Sequence, residues 1–302
     1  MADRVEGAKL PMSVSPIDIP ALLREHGLRP DKKLGQNFLI DPVALEWIVQ
    51  IAEIKPQDCV LEIGAGLGSL TRYLAASARQ VVAVELDRKL IPILNKTLAA
   101  YPNVRLLEGD ILAMNPEQII RQGCQPEGQA DPGGYLVVAN IPYYITSALI
   151  RHLLEARIKP ARLVLTVQRE VAERISAQPG DLSLLALSVQ VYGQPQVKTR
   201  IPAGAFYPAP QVDSAVVRVD LYPEPLIPEL WLNDFFRLAK AGFSQKRKTL
   251  RNSLAGGLAM PAQQAGEFIL QAGIDPQRRA ETLSLSEWEQ LTAIYRQIVV
   301  AR

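Results

Sequence analysis

From Asp58 to Gln168 the chain alternates short apolar runs with segments whose apolar residues recur at helical spacing. This alternation is typical of a parallel α/β sheet, because each strand is followed by a helix that returns the chain to the same edge. We therefore predict an α/β fold of the Rossmann-like class. Strands are expected at 59–63, 80–85, 104–108, 135–139 and 162–168, with helices near 67–76, 88–100, 116–122 and 146–156 between them.

The flanking segments complete the predicted organisation. Asp41 and Pro42 are an N-cap and a first-turn proline, so they predict a helix over 42–54. The proline-dense stretch 222–228 marks a domain boundary, and Ser286 with Glu289 forms a capping-box pattern before the last helix. The other predicted elements are helices at 169–176, 182–192, 230–241, 246–254, 261–272 and 287–299, and strands at 197–201 and 215–221.

The predicted domains follow from these elements. Residues 1–30 form a mobile arm with a short helix, 31–222 the α/β domain, and 223–302 a small all-helical C-terminal domain. The mixed polar and aromatic segment 32–40 does not have the pattern of a core element. The glycine- and proline-rich segment 123–134 is predicted to be a surface loop.

Composition narrows the class of protein. A formal charge of +2 on 302 residues gives no general preference for anionic partners, so any nucleic-acid surface must be local. Cys59 and Cys124 lack metal-site spacing, which argues against a disulfide framework or a zinc site and fits a reducing compartment. With no apolar run of membrane-spanning length and no secretory signal, we expect a cytoplasmic protein without a metal or a membrane partner.

Glycines follow the first predicted strand in the spacing Gly64-x-Gly66-x-Gly68. A tight glycine turn that departs from the pyrophosphate-binding spacing suits a cofactor without phosphates, such as S-adenosylmethionine. Glu85 ends the next strand, where its carboxylate can accept both ribose hydroxyls, and Asp110 follows the third strand, where it can accept from an adenine amino group.

The strand at 135–139 ends in Asn140-Ile141-Pro142-Tyr143. The proline fixes the backbone so that the Ile141 carbonyl is a rigid acceptor beside the Asn140 side chain, and Tyr143 offers a face for stacking. Together they suit an exocyclic amino group on a planar base, with Phe206 from a proline-stiffened loop on the opposite face. On their own, these residues equally fit an ordinary β–α turn, and Phe206 also fits a core position.

Local charge is concentrated between Phe235 and Leu254, which holds six cations and no acid. Such a cluster favours a phosphate-binding patch over the alternative of a solvated helix face. The nucleic-acid-binding residues predicted in this cluster are Lys246, Arg247, Lys248 and Arg251. Lys32 and Lys33 are predicted to extend it near the strand ends that carry the candidate site.

Five motifs, in order along the chain, carry a resemblance to a known family. They are Gly35-Gln36-Asn37-Phe38-Leu39, the 62–68 glycine loop, Asn140-Ile141-Pro142-Tyr143, the 206–214 segment and the 243–252 segment. From about Leu28 to Leu285 the chain resembles the ribosomal RNA adenine dimethyltransferases, and most of all their bacterial small-subunit branch.

The resemblance implies an enzyme that transfers methyl groups from S-adenosylmethionine to N6 of two adjacent adenines in the 3′-terminal hairpin of small-subunit rRNA. We also expect a role in small-subunit biogenesis, a pre-ribosomal small subunit as the partner, and a monomeric protein. The cofactor-contacting positions that the resemblance implies are Asn37, Leu39, Gly64, Glu85, Asp110 and Asn140, to which the glycine loop adds Gly66.

Two alternatives remain at this point. A large-subunit rRNA adenine methyltransferase of the macrolide-resistance type would share the fold and the Asn-x-Pro-Tyr motif, although the 206–214 and 243–252 segments favour the small-subunit enzyme. A non-catalytic assembly or transcription-accessory protein would keep the fold alone, but intact Glu85, Asp110 and Asn140 argue against the loss of cofactor binding.

Overall fold

A computed structural model describes residues 14–124 and 134–300. These residues divide into two compact units. One contains the chain up to Ala172 together with Gln196–Leu221, and the other contains Glu173–Pro195 together with the chain from Tyr222 onward. The second unit therefore includes the segment 173–195, which was predicted to belong to the α/β domain. The reason is that this segment bonds to later residues, as in the Tyr222 N–H bond to the Tyr192 carbonyl at 2.9 Å.

A seven-stranded sheet forms the centre of the first unit. Its strands are β2 Cys59–Ile63, β3 Gln80–Glu85, β4 Val104–Glu108, β5 Tyr135–Asn140, β6 Arg162–Gln168, β7 Gly193–Ile201 and β9 Ser214–Leu221. They lie in the order β4-β3-β2-β5-β6-β9-β7. Its first five members pair in parallel, and β9 pairs antiparallel with β6. Predicted bounds for the parallel strands agree with the structure to within one residue.

Helices flank this sheet and follow the predicted apolar periodicity. Asp41 caps α2 by accepting from the Val43 N–H at 2.8 Å, as the sequence predicts. Leu45, Ile48 and Val49 of α2 are buried in a core cluster with Val60 of β2. The helices up to the start of the second unit are α1 Ile19–Glu25, α2 Pro42–Ala52, α3 Ser69–Ala75, α4 Ile91–Leu98, α5 Pro116–Cys124, α6 Thr146–Leu154 and α7 Arg169–Ile175.

A two-residue strand, β1 Phe38–Leu39, pairs antiparallel with β8 Phe206–Tyr207. Both residues of β1 are buried, so the expectation that segment 32–40 contributes nothing to the core was wrong. The short helix predicted before it is confirmed as α1. Of the predicted arm, residues 1–13 lie outside the described part of the chain, as does most of the predicted 123–134 loop, whose Gly123 belongs to α5.

Cys59 at the start of β2 and Cys124 at the end of α5 form a disulfide, with their Cα atoms 5.6 Å apart. The expectation of no disulfide was therefore wrong. Helix α5 packs on the sheet so closely that a Cβ at Gly123 would lie 2.4 Å from Val82. This close packing places the two sulfur atoms together although 65 residues separate them in sequence.

The second unit is helical around a buried aromatic core. Phe243 and Trp288 stack with ring centroids 5.9 Å apart, and Phe268 meets Tyr295 edge to face at 6.0 Å. Its helices are α8 Leu184–Gln190, α9 Leu232–Gly242, α10 Leu250–Gly257, α11 Ala262–Gln271 and α12 Leu285–Tyr295, which continues as a π-helical turn, Arg296–Val300.

The starts of α12 and α10 are among those in this unit that differ from the prediction. The capping box uses Ser284 and Glu287 rather than Ser286 and Glu289, because Glu287 is also paired with Arg278 and that pairing fixes the earlier start. Helix α10 begins at Leu250, with Thr249 as its N-cap, and not at Lys246. The three cations 246–248 therefore occupy the turn before the helix.

Candidate active site

A cavity of about 210 Å³ opens at the carboxyl edge of the parallel strands. Parallel strands end at one edge, so the loops that follow β2, β3, β4 and β5 all reach it. The cavity wall includes residues from each of these loops and from the segment before β1. The predicted site residues that line it are Asn37, Gly64, Gly66, Glu85, Asp110, Asn140, Ile141, Pro142 and Tyr143.

The glycine loop bends back toward β3. The N–H groups of Gly64 and Ala65 both bond to the Val84 carbonyl, at 2.9 and 3.3 Å. Gly64 and Gly66 have φ angles of +77° and +61°, a left-handed conformation that costs glycine little. A Cβ at Gly66 would also lie 3.0 Å from the Phe38 ring, so both backbone conformation and space require glycine at this position.

Glu85 is held rigidly at the end of β3. Its two carboxylate oxygens accept the N–H groups of Gly66 at 2.7 Å and Asp87 at 2.8 Å. Burial raises the pKa of Glu85, and these two hydrogen bonds oppose that rise. A carboxylate oxygen has more than one lone pair, so each oxygen can still accept a ribose hydroxyl.

Asp110 keeps one oxygen available. Its Oδ1 accepts the Leu112 N–H at 2.9 Å, and no donor among residues 14–124 and 134–300 bonds to its Oδ2. Glycines that admit a close ligand, a carboxylate for ribose and a second one for adenine together fit S-adenosylmethionine. The chain's donor and acceptor set thus matches the cofactor that the sequence predicts.

The Asn140 side chain has one possible orientation. Its amide contacts the backbone carbonyl of Asn37 at 3.1 Å, and because a carbonyl can only accept, the contacting atom is Nδ2. The Oδ1 atom is therefore left as an acceptor. The neighbouring Ile141 carbonyl also accepts no hydrogen bond within the described part of the chain, while the Ile141 N–H bonds to Thr166 at 3.2 Å.

Tyr143 is fixed by a residue from the end of the 206–214 motif. Its hydroxyl lies 2.8 Å from the Ser214 hydroxyl at the first residue of β9. Burial raises the pKa of Tyr143, so the phenol stays neutral at ordinary pH and does not serve as a base. Tyr144, next to it, is 60% exposed and also lines the cavity.

Two predicted site residues lie in the core instead of the cavity. Phe206 is 3% exposed and packs in the cluster that contains Leu39 and Val138. The predicted stacking face of Phe206 is thus covered in this structure. Leu39, expected to contact the cofactor, is likewise 3% exposed and pairs with Phe206 across the β1–β8 ladder.

Gln36 has a role at the site that was not predicted from the sequence. Its Nε2 donates to Asp87 at 2.8 Å and its Oε1 accepts the Asp31 N–H at 2.7 Å. It therefore ties the segment before β1 to the loop after β3, on either side of the cavity. Its place between Gly35 and Asn37 in the first motif was the available signal.

The sequence profile described as "Ribosomal RNA adenine dimethylase" matches residues 27–297. The chain belongs to this family. Ribosomal RNA adenine dimethylases are S-adenosylmethionine-dependent methyltransferases, so the predicted fold class, reaction class and cofactor are confirmed.

Named relatives of this dimethylase are similar to it in sequence over most of its length. A "Ribosomal RNA small subunit methyltransferase A" from Dehalococcoides mccartyi is 47% identical over 274 residues, which cover 91% of each chain. One from Pelotomaculum thermopropionicum is 44% identical, covering 92% of this chain and 95% of the relative.

Solved structures similar to the dimethylase include a "dimethyladenosine transferase from Plasmodium falciparum". It has a TM-score of 0.71 and 25% identity, covering 86% of this chain and 98% of that one. The "23S rRNA methyltransferase ErmE" has a TM-score of 0.65 and 28% identity, covering 85% and 99%.

The described residues contain neither a membrane-spanning helix nor a cluster of metal-binding side chains. No helix within 14–124 and 134–300 is long and apolar enough to cross a membrane. Nor do these residues contain a cluster of three or more histidine, cysteine or acidic side chains that could hold a metal ion.

Proposed function

We propose that this dimethylase methylates N6 of two adjacent adenines in the 3′-terminal hairpin of small-subunit rRNA. The observation that carries the catalytic part is the orientation of Asn140, whose Oδ1 is left as an acceptor beside the Ile141 carbonyl. The choice of the small subunit is supported by relatives at 41–47% identity that carry that substrate in their name.

The reaction requires an adenine amino group to become nucleophilic, although its lone pair is delocalised into the ring. If Asn140 Oδ1 and the Ile141 carbonyl accept its two N–H bonds, N6 is drawn toward tetrahedral geometry and its lone pair points out of the ring plane. S-adenosylmethionine, when bound, supplies an electrophilic methyl group. Positioning of two reactants contributes up to about 7 to 11 kcal/mol. The N6 proton becomes acidic only once the methyl group has begun to transfer, so no strong general base is needed.

The proton released by N6 leaves along one of these two hydrogen bonds. Neither acceptor needs to hold it, because an oxygen open to the cavity can pass it to water. Tyr143 would stack on one face of the base, contributing about 1 to 3 kcal/mol toward the cost of turning the adenine out of the RNA. In the second methylation the monomethylated amine has a single N–H, so it must bind through one of the two acceptors alone.

RNA binding would come from Lys32 and Lys33 near the cavity and from Lys246, Arg247, Lys248 and Arg251 in the helical domain. All except Arg251 are exposed. We further propose that the enzyme works as a cytoplasmic monomer on a pre-ribosomal particle and assists small-subunit assembly. Residues 31–222 would carry catalysis, and residues 223–302 would add RNA contacts away from the cavity.

Labelled methyl transfer tests the substrate. Purified unmodified small subunits and large-subunit rRNA are each incubated with labelled S-adenosylmethionine, and the modified bases are mapped. We expect N6-dimethyladenosine at two adjacent positions of small-subunit rRNA alone. Label in large-subunit rRNA would instead favour the activity named for ErmE.

Asn140→Ala tests the catalytic role of the amide. Loss of one oriented acceptor is expected to lower kcat by about a hundredfold or more, while S-adenosylmethionine binding, measured by calorimetry, is kept in part. Near-normal turnover of the variant on small subunits would contradict the proposed mechanism.

A further inference from the structure

A second groove, also of about 210 Å³, lies beside the cofactor cavity. Its charged lining consists of Arg29, Lys32, Lys89, Asp31 and Asp87, and we call it the basic groove. Leu90 lines both the basic groove and the cofactor cavity, so the two are adjacent.

A hydrogen bond connects the two walls of the basic groove. One wall is the connection between α1 and β1, and the other is the loop between β3 and α4. Gln36 bonds to Asp87 in the second wall and accepts from Asp31 in the first. One hydrogen bond, from Gln36 to Asp87, therefore joins the two walls, and the bond from Asp31 holds Gln36 in place within the first wall.

The charged residues that line the basic groove, three cations and two acids, favour binding of an anion. Arg29, Lys32 and Lys89 are exposed, and none forms an ion pair with a carboxylate in the described part of the chain. The two acids, Asp31 and Asp87, accept hydrogen bonds from nearby groups of the protein. Asp31 Oδ1 accepts the Lys33 N–H at 2.8 Å, and Asp87 accepts from the Lys89 N–H at 3.0 Å and from Gln36.

We propose that the basic groove binds a phosphodiester group of the RNA strand that carries the target adenine. This proposal rests on the proposed function. A base that enters the cavity leaves its own and neighbouring phosphates at the rim, which the basic groove adjoins. Arginine and lysine are suited to phosphate, arginine as a two-pronged donor and lysine as a point charge. Phosphate contacts would fix the register of the strand without reading its sequence.

The test uses Arg29→Ala, Lys89→Ala and the double variant in the full-length protein. Arg157→Ala is the matched control, because Arg157 is an exposed cation at the opposite, amino edge of the sheet. For each protein, the kcat and KM of methyl transfer to unmodified small subunits are measured over a range of salt concentrations. Binding of S-adenosylmethionine without RNA is measured by calorimetry.

We expect the double variant to raise KM for small subunits by about tenfold and leave kcat within about twofold of the wild type. The slope of log KM against log salt should fall by about 0.7, the value for one single-strand phosphate contact. Cofactor binding and the Arg157→Ala control should match the wild type.

Three outcomes would overturn the proposal. An unchanged KM and salt slope in the double variant would show that the groove makes no phosphate contact. Weakened cofactor binding with an unchanged KM for small subunits at saturating cofactor would assign the groove to the carboxylate of S-adenosylmethionine. A wild-type enzyme that leaves small subunits unmodified would instead refute the proposed function, on which the groove's role depends.

Discussion

The hydroxyl groups of Tyr143 and Ser214, which are 71 residues apart in sequence, bond to each other and join two of the motifs. The 206–214 segment was predicted to supply a stacking aromatic, Phe206. In the structure, Ser214, the last residue of this segment, instead orients Tyr143 through its hydroxyl group. A buried aromatic and a stacking aromatic have the same appearance in sequence, so proline-stiffened Phe206 could not be assigned without knowing what covers it.

Tyr143→Phe and Ser214→Ala remove the same hydrogen bond from opposite ends. Each is expected to lower kcat/KM for methyl transfer by about three- to tenfold, the value of one hydrogen bond. The double variant should have about the same kcat/KM as the less active single variant, because either single change already removes the hydrogen bond. A double-mutant cycle on methyl transfer measures this coupling. Fully additive losses would mean that the hydroxyls act separately.

Glu62, buried at 1% exposure in β2, has an Oε2 atom without a hydrogen-bond partner among the described residues. Burial and the nearby Glu85 charge raise its pKa from 4.5 to about 8. Between these values the folded state holds a proton that the unfolded state has released. The free energy of unfolding should therefore fall as pH rises through this window, by up to about 1.4 kcal/mol per pH unit.

Glu62→Gln should remove this dependence, because the amide does not ionise. Urea unfolding of both proteins at pH values of about 5, 7 and 9 measures the difference. The variant should gain stability relative to the wild type as pH rises. Parallel stability curves would show that Glu62 is ionised in the folded protein.

At the scale of elements, the alternation of strands and helices predicted the parallel strands within one residue of their observed ends. It also placed Glu85, Asp110 and Asn140 at one edge, because parallel strands all end on the same side. Helix starts in the second unit were less predictable. The sequence from Ser284 to Glu289 contains two overlapping capping-box patterns, and the pairing of Arg278 with Glu287 favours the first of them.

The turn of three cations at 246–248 is a sharper probe of RNA binding than Arg251. The Arg251 side chain is half-buried, with its Cδ 3.4 Å from the place a Cβ would take at Gly266, so its replacement would also disturb packing. Arg247→Gln with Lys248→Gln should weaken RNA binding and reduce its salt slope by about 0.7 for each phosphate contact removed.

Filter binding of small-subunit rRNA at several salt concentrations measures both quantities. Arg157→Gln, which removes a charge at the amino edge of the sheet, should leave both unchanged. A double variant with the wild-type salt slope would mean that these cations do not contact phosphate.

At the scale of the whole molecule, the chain passes between the two units three times, near residues 172, 195 and 221. The proline-dense stretch at 222–228 signalled only the last of these passages. The segment 173–195 bonds to distant residues, including the Gly180 N–H to Glu281 at 2.9 Å and the Leu226 N–H to Val191 at 2.8 Å. Such pairings carry no local sequence pattern.

A chain ending at Leu221 would keep 173–195 but lose the partners of that segment. Exposed apolar side chains such as Tyr192, which contacts Phe236 at a ring distance of 6.4 Å, should then cause aggregation. Replacing 173–195 in the truncated chain by a Gly/Ser linker of equal length should restore a monomer. Size-exclusion chromatography of both truncated proteins tests this. Equal solubility would mean that the segment needs no later partner.

The bond between Cys59 and Cys124 closes a covalent ring that contains the glycine loop, Glu85 and Asp110. The loops after β2, β3 and β4, three of the four strand-end loops that line the cavity, therefore lie within this covalent ring. A protease that cuts once between these cysteines would open the ring without releasing a fragment. On a gel the nicked chain would keep its full mass until a reductant is added, and then separate into two pieces.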